Sequence, residues 1–317
     1  MFLLTVWAAI TLNFILPRLM PGSPADAILA KLAYNGPVSP GARASIEAML
    51  GVPDGTIWEQ YVNYIGALFR LDFGLSYTFF PQEVSVLVAD ALPWTLFLIG
   101  TTSIIAFFIG TILGIFAAWR RNGRFDTFAT VGSTFIGTVP YFWLALILLF
   151  GLGYMSGLFP TSGAYGPTAV PEFSLEFIMD ALYHAVLPAL SILISGLAGW
   201  VIGMRNNMVN SLGDDYVRFA QANGLRSRTV AIKYAARNAM LPQLTSFGMT
   251  LGAVVGGSLL TEMVFAYPGI GYLLFNALTN QDFPLMQALF LVITLSVLTA
   301  NFVVDLLYGF LDPRTRR

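Results

Sequence analysis

The chain has 317 residues, of which 56% are hydrophobic and 10% charged, with 16 basic against 17 acidic side chains and a mean hydropathy of +0.72. An ordinary soluble domain is about 25% charged, so this composition belongs in a bilayer. A net charge of −1 gives no hint of nucleic-acid binding, and the absence of cysteine excludes disulfides and thiolate metal sites.

Six apolar runs are long enough to be read as spans: Phe2 to Met20, Leu92 to Trp119, Phe128 to Met155, Val186 to Met204, Leu241 to Phe265 and Leu285 to Leu311. A span needs about 20 apolar helical residues, so the first run is barely sufficient. Ala25 and Ala27 resemble a signal-peptide cleavage pattern. No basic stretch precedes the run, however, and its apolar length exceeds that of a usual signal core. It is read as a span.

The segment from Pro21 to Ala91 is too long for a simple connector. Ser39 and Pro40 predict a helix start, with Ile46, Met49 and Leu50 apolar before a stop at Gly51. Thr56 and Glu59 have capping-box spacing and predict a second helix, with Trp58, Tyr61, Val62, Ile65, Leu68 and Phe69 on one face. That face is expected on the membrane interface or on the ends of the spans.

In the second span, Gly110 and Gly114 stand four apart, a spacing that lets another helix approach closely. Pro140 and Pro188 are expected to kink the third and fourth spans. The single histidine, His184, lies at the edge of the fourth span and is read as an interfacial hydrogen-bonding residue.

Basic residues cluster after the second span (Arg120, Arg121, Arg124), after the fourth (Arg205, Arg218, Arg226, Arg228, Lys233, Arg237) and at the end (Arg314, Arg316, Arg317). The loops Ser156 to Ala185 and Ala266 to Pro284 have no lysine or arginine and carry Glu172, Glu176, Asp180 and Asp282. Because basic residues are retained on the cytoplasmic side, both termini and the segment Ser211 to Pro242 are expected there.

That segment reads SLGDDYVRFAQANGLRSRTVAIKYAARNAMLP. Ser211 and Asp214 have capping-box spacing, and Gly224 is expected to stop the short helix they start. Leu212, Tyr216, Phe219, Ala220 and Asn223 are expected on one face, with Asp214, Asp215, Arg218 and Gln221 towards the other. A helix too polar to enter the bilayer, yet held beside it, suits docking.

In the fifth span Gly248, Gly252 and Gly256 stand four apart and form a small-residue groove where another helix can approach closely. Glu262 near one end of that span, and Asn301 and Asp305 in the sixth, are candidates because ionisable groups in a membrane are costly. Tyr267, Pro268, Gly269 and Gly271 predict a tight turn and re-entry, and Asp282-Phe283-Pro284 starts the last span. The chain shows no Ser-His-Asp set, zincin pattern or phosphate-binding Gly-Lys loop.

Several runs together carry a resemblance. The sequence Arg218-Phe219-Ala220, then Gly224, then Leu241-Pro242 resembles the cytoplasmic coupling segment of ABC importer permeases, without its acidic first position and with a longer gap. The run DYVRFAQANGL, the segment LMPGSPAD near Met20, the run Leu71 to Ser76 and the stretch from Thr261 to Arg317 are similar to the dipeptide, oligopeptide and nickel permeases.

The resemblance implies an all-α integral membrane protein of six transmembrane helices with the type I ABC importer permease fold, a B-type subunit forming half a pore. It would divide into a first span (1–20), an extracytoplasmic helical loop (21–91), a permease core (92–311, coupling segment 211–242) and a cytoplasmic tail (312–317). Asp215, Tyr216, Arg218, Phe219, Ala220 and Gly224 would couple to ATPases. Gly248, Gly252, Gly256, Glu262, Asn301 and Asp305 would line or gate the path, the three glycines on a pore-lining face set against the second permease subunit. No catalytic, cofactor or metal residue is expected, and ATP and Mg would be bound by the partners. Those partners would be a homologous C-type permease, two ATP-binding subunits or domains and an extracytoplasmic solute-binding protein, at a bacterial or archaeal cytoplasmic membrane. The implied cargo is di- or oligopeptides, with nickel chelates, glutathione or oligosaccharides as alternatives. An ion-coupled secondary transporter is the competing class, and two isolated acids without basic partners fit it poorly.

Overall fold

The computed structural model describes residues 2–19 and 55–311, with positions 29, 33, 41 and 45 between them. The expected helix after Ser39 and the LMPGSPAD run lie outside the described residues. Among the described residues the regular elements are helical, apart from one bridge between Leu75 and Glu83.

Helix α1 (Phe2–Leu19) is apolar on all sides, as a buried or membrane helix is. Helix α2 (Ile57–Phe69) begins with the expected capping box: Thr56 N donates to Glu59 Oε2 at 2.8 Å and Glu59 N donates to Thr56 Oγ1 at 3.3 Å. It rests on α1 through Tyr61 and Tyr64. The Tyr61 ring lies 5.1 Å from that of Phe14, its hydroxyl 2.8 Å from Thr11 Oγ1, and Asn13 Nδ2 donates to Tyr64 OH at 3.3 Å.

Helix α3 (Val84–Trp119) contains a π turn at Leu96–Gly100 and packs along α6 (Leu175–Leu212). Gly110 and Gly114 make this contact possible. A methyl group at Gly110 would collide with Trp200, and one at Gly114 would sit 2.7 Å from Met204 Cβ. Phe107 fills the joint, stacked on Phe247 at 4.2 Å and edge-on to Trp200 at 5.3 Å.

Helices α4 (Arg124–Thr138) and α5 (Tyr141–Met155) meet at an angle of 90° around Pro140. The expected kink is therefore a break, since the residue before proline is forced out of the helical region, as Val139 is with ψ 122°. Pro188, by contrast, is buried inside the unbroken α6.

The six expected spans are not six continuous apolar helices among the described residues. Three helices, Val84–Trp119, Leu175–Leu212 and Phe283–Val303, are long and apolar enough to cross a bilayer, and the bent α4–α5 pair makes a fourth. The expected fifth span, Leu241 to Phe265, is interrupted. A π turn at Val230–Ala236 leads into α8 (Arg237–Ala253), which tightens into a 3-10 turn at Val254–Gly256 and stops at Gly257, φ 72°. Gly257 takes a left-handed conformation that ends the hydrogen-bond ladder. A side chain there would also strike Gly271 N at 3.0 Å. The chain restarts as α9 (Leu259–Val264), turns, and re-enters as α10 (Ile270–Thr279), the short helix expected after Tyr267. Helix α11 (Phe283–Leu311) closes the bundle.

Candidate functional site

The segment after α6 folds into a short helix, α7 (Asp215–Ala222), but not by the expected capping box. Ser211 still belongs to the last turn of α6, where its hydroxyl meets Tyr216 OH at 2.6 Å and donates to Ala235 O at 3.2 Å. Gly213 ends α6, and Asp214 starts α7 in extended conformation without a side-chain cap. A local box is lost because a tertiary partner holds the serine.

The buried face also differs from the expected one. Val217 and Ala220 are covered, packing with Met204 and Met208 of α6 and with Val230, Ala231 and Ala235 of the following turn. Of the expected face, Ala220 lies inward together with Val217, three residues apart on the helix, and Leu212 at the end of α6 packs partly buried against the same cluster. Asp215 and Arg218 are exposed, Tyr216 is at the margin, and Phe219 is 72% exposed. At the end, Gly224 N donates to Gln221 O at 2.9 Å and Leu225 N to Ala220 O at 3.3 Å. Gly224 has φ 72° and open space where a Cβ would be, so the turn needs glycine for its backbone and not for close packing.

These contacts make α7 a rigid knob. Its inward face is locked to α6 and to the start of α8, while a large apolar side chain projects outward.

The candidates in the fifth and sixth runs are not brought together. Gly252 is buried against α11 of the same chain, where a methyl group would collide with Ala300, and a methyl at Gly256 would touch Ile293 at 3.4 Å. Their expected place against a second subunit is corrected, because the small-residue groove is already filled by α11. Gly248 is half-buried on α8, Asn301 is exposed on α11, and the Asp305 side chain lies outside the described residues.

Glu262 is fully buried in a cage of donors. Thr95 of α3 donates to Oε1 at 3.1 Å, Ser258 N reaches Oε1 at 3.4 Å, and Tyr272 N donates to Oε2 at 3.0 Å. Thr95 Oγ1 in turn accepts from Ile270 N at 2.7 Å. The carboxylate thus ties the break after α8, the start of α10 and the second span into one joint.

Two further joints escaped the candidate residues. Asp282 at the head of α11 is fully buried and accepts from the Ser76 hydroxyl, from Thr78 N at 2.8 Å and from Leu285 N at 3.3 Å. Asp126 at the start of α4 is bound by Arg205 of α6 through two hydrogen bonds. Asp126 is the lone acid beside three arginines, which was its only sequence signal.

Residues 110–317 match the family described as binding-protein-dependent transport system inner membrane component. Among similar proteins, the oligopeptide transport system permease protein AppB of Bacillus subtilis is 32% identical over 96% of this chain and 92% of its own length. The di/tripeptide transport system permease protein DppB of Pseudomonas aeruginosa is 33% identical, covering 98% of this chain and 95% of its own. The dipeptide transport system permease protein DppB of Escherichia coli is 33% identical, covering 96% and 93%. With its helical architecture, its apolar spans and a match of this extent, the chain belongs to the family of binding-protein-dependent transport system inner membrane components.

Proposed function

We propose that this chain is the B-type, membrane-spanning subunit of an ABC importer that carries di- or oligopeptides inward. The observation that supports it most is α7, a short polar helix clamped by Val217 and Ala220 with Phe219 left bare on its outer side. Relatives whose names specify peptide transport match nearly the whole chain, which favours peptides over chelates or sugars.

In this reading a homologous permease completes the pore, a solute-binding protein delivers the peptide, and two partner ATPases bind ATP and Mg and perform the hydrolysis. Phe219, with Tyr216, Asp215 and Arg218 around it, docks on an ATPase, and Ala220 and Gly224 set the helix that carries them. ATPase closure moves α7, and α6 and α8 move with it as a rigid body from an inward-open to an outward-open arrangement. Both termini and α7 lie in the cytoplasm, because the basic residues collect on that side.

Reconstituting the complex with Phe219→Asp tests the assignment. Peptide uptake should fall to background, and ATP hydrolysis should lose its response to loaded binding protein. Normal uptake with unchanged stimulated hydrolysis would overturn the coupling role. A partner binding protein that retains a non-peptide solute on purification would overturn the cargo.

A further inference from the structure

Four helices lose their regular hydrogen-bond ladder within one buried cluster. In α3 the π turn Leu96–Gly100 brings Leu98 and Ile99 into it, and in α8 the 3-10 turn Val254–Gly256 brings Val254. The π turn Leu149–Met155 at the end of α5 adds Leu149 and Leu152. In α6 Leu187 is buried there beside Pro188, which has no N–H to donate to the preceding turn. Two of these turns touch, since a methyl group at Gly100 would meet Val254 Cγ1 at 3.9 Å. Helices bend where proline or a π turn interrupts the ladder, and a 3-10 stretch inside a helix marks the same weakness. One such place is local, but four in one cluster make a layer.

On the side away from α7 the chain is tied into a cap. Glu262 binds Thr95, the last residue before the π turn of α3, together with the amides of Ser258 and Tyr272, and Thr95 accepts from Ile270 N. The fit is close, for a methyl group at Gly269 would collide with both Glu262 Oε2 and Thr95 Oγ1. Val84 and Val88 of α3 pack with Ile270 and Leu274 of α10 and with Leu285 and Leu289 of α11. Gly163 N donates to Phe265 O at 2.9 Å, and the Trp94 ring lies 5.6 Å from that of Tyr165 and 6.0 Å from that of Tyr267, so residues 163–165 belong to the cap too.

On the side of α7 a second body forms. Phe107 of α3 joins Phe247 of α8 and Trp200 of α6, Gln243 Nε2 donates to Trp200 O at 3.0 Å, and Ala118, Met204 and Ala239 share the cluster beneath α7. Helix α11 passes both bodies unbroken, with Leu289 in the cap and Ala300 against Gly252 of the inner body.

We infer that the cluster is a hinge layer on which the cap and the inner body turn against each other, with Gly257 as the pivot of α8 and Glu262 as the positioning residue that keeps the cap whole. The inference rests on the importer reading for the motion that drives it. Helix α7 moves α6 and α8, and both weaken at the layer, at Pro188 and at Gly257, so the rigid movement ends there. Gly257, at φ 72°, lies where the α8 ladder has already stopped, and glycine's wide backbone range lets the angle change at little cost. The cap, cross-linked through Glu262, answers as one piece.

The chain has no cysteine, so spin labels can be placed in pairs. In the reconstituted complex, with partner subunits freed of cysteine, Val86→Cys with Leu278→Cys spans the cap and Phe116→Cys with Leu241→Cys spans the inner body. Leu241→Cys with Leu278→Cys crosses the layer, and all four sites are exposed. Interspin distances are read without nucleotide and in the vanadate-trapped ATP state. The crossing distance should change by several ångström while the other two hold. A crossing distance that stays fixed, or a cap distance that changes as much, would overturn the hinge. Glu262→Gln, which turns an amide group towards backbone donors, should broaden the distribution of the cap distance, and an unaltered distribution would overturn the role of Glu262. Thr95→Val, a smaller change that removes one donor from the carboxylate, serves the same end where Glu262→Gln fails to assemble. Phe219→Asp judges the importer reading separately: a fixed crossing distance in a complex whose uptake depends on Phe219 removes the hinge alone.

Discussion

Arg205 of α6 holds both carboxylate oxygens of Asp126 at the start of α4, through Nε to Oδ1 and through Nη2 to Oδ2 at 2.9 Å. Asn122 N also donates to this carboxylate at 2.9 Å, and the Asp126 side chain is only 5% exposed. Asp126→Ala would strand the guanidinium and should cost about 1.5–3 kcal/mol, the worth of a charged hydrogen bond. Adding Arg205→Met should cost less than the two single changes summed, because the second removes the stranded charge. Thermal unfolding of the purified complex measures both, and strict additivity would rule out a direct pair.

Asp282 joins the Leu71 to Ser76 run to the head of the last helix. It accepts from Ser76 and Thr78 on one side and caps Leu285 N on the other. Asp282→Ala removes the cap and leaves the buried Ser76 hydroxyl without its acceptor, a loss of about 1–3 kcal/mol. Ser76→Ala should cost less. Hydrogen exchange should report the loss locally, with faster exchange at Thr78 and Leu285 in the Asp282 variant. Unchanged protection there would refute the joint.

Gly252 lies so close to Ala300 that even one methyl group overlaps. Gly252→Ala should destabilise by about 1–3 kcal/mol through overpacking, despite alanine's better helix propensity. Combining it with Ala300→Gly should restore much of the melting temperature, since the methyl group merely changes sides. Failure of that rescue would mean that the two helices are not packed at this point. Gly252→Leu should prevent assembly of the bundle, which size-exclusion chromatography would detect as loss of the complex.

The Glu59 carboxyl is held below its ordinary value of 4.5 by the Thr56 backbone amide, which contributes most, and by the Thr56 hydroxyl. A depressed carboxyl stabilises the helix start above its unfolded value, and that contribution is lost as pH falls through the lower folded value. Hydrogen exchange at the first turn of α2 should accordingly quicken as pH drops below 4.5, after correction for intrinsic rates. Glu59→Gln should flatten this response. A wild-type first turn indifferent to pH would show that the capping box does not hold in solution.

The bilayer class, the helical architecture, the α2 capping box and the glycine that ends α7 were legible because each depends on neighbours along the chain. Composition reports the solvent, and a Thr-x-x-Glu box or a left-handed glycine needs only a few residues to form. Tertiary structure decided which face of α7 is covered, which helix fills the Gly252 groove, and where the fifth run breaks. Apolar periodicity could not decide the last two points, because in a membrane lipid-facing and helix-facing surfaces are equally apolar, and on α7 it could not tell the covered Val217 from the bare Phe219. The same holds for the long-range partners. Glu262 stood out in the sequence as an acid near a span, but only the fold brings Thr95 and Tyr272 to it. Ser211 shows the two levels in competition: its spacing to Asp214 favours a local cap, yet burial against Tyr216 and Ala235 satisfies the hydroxyl elsewhere.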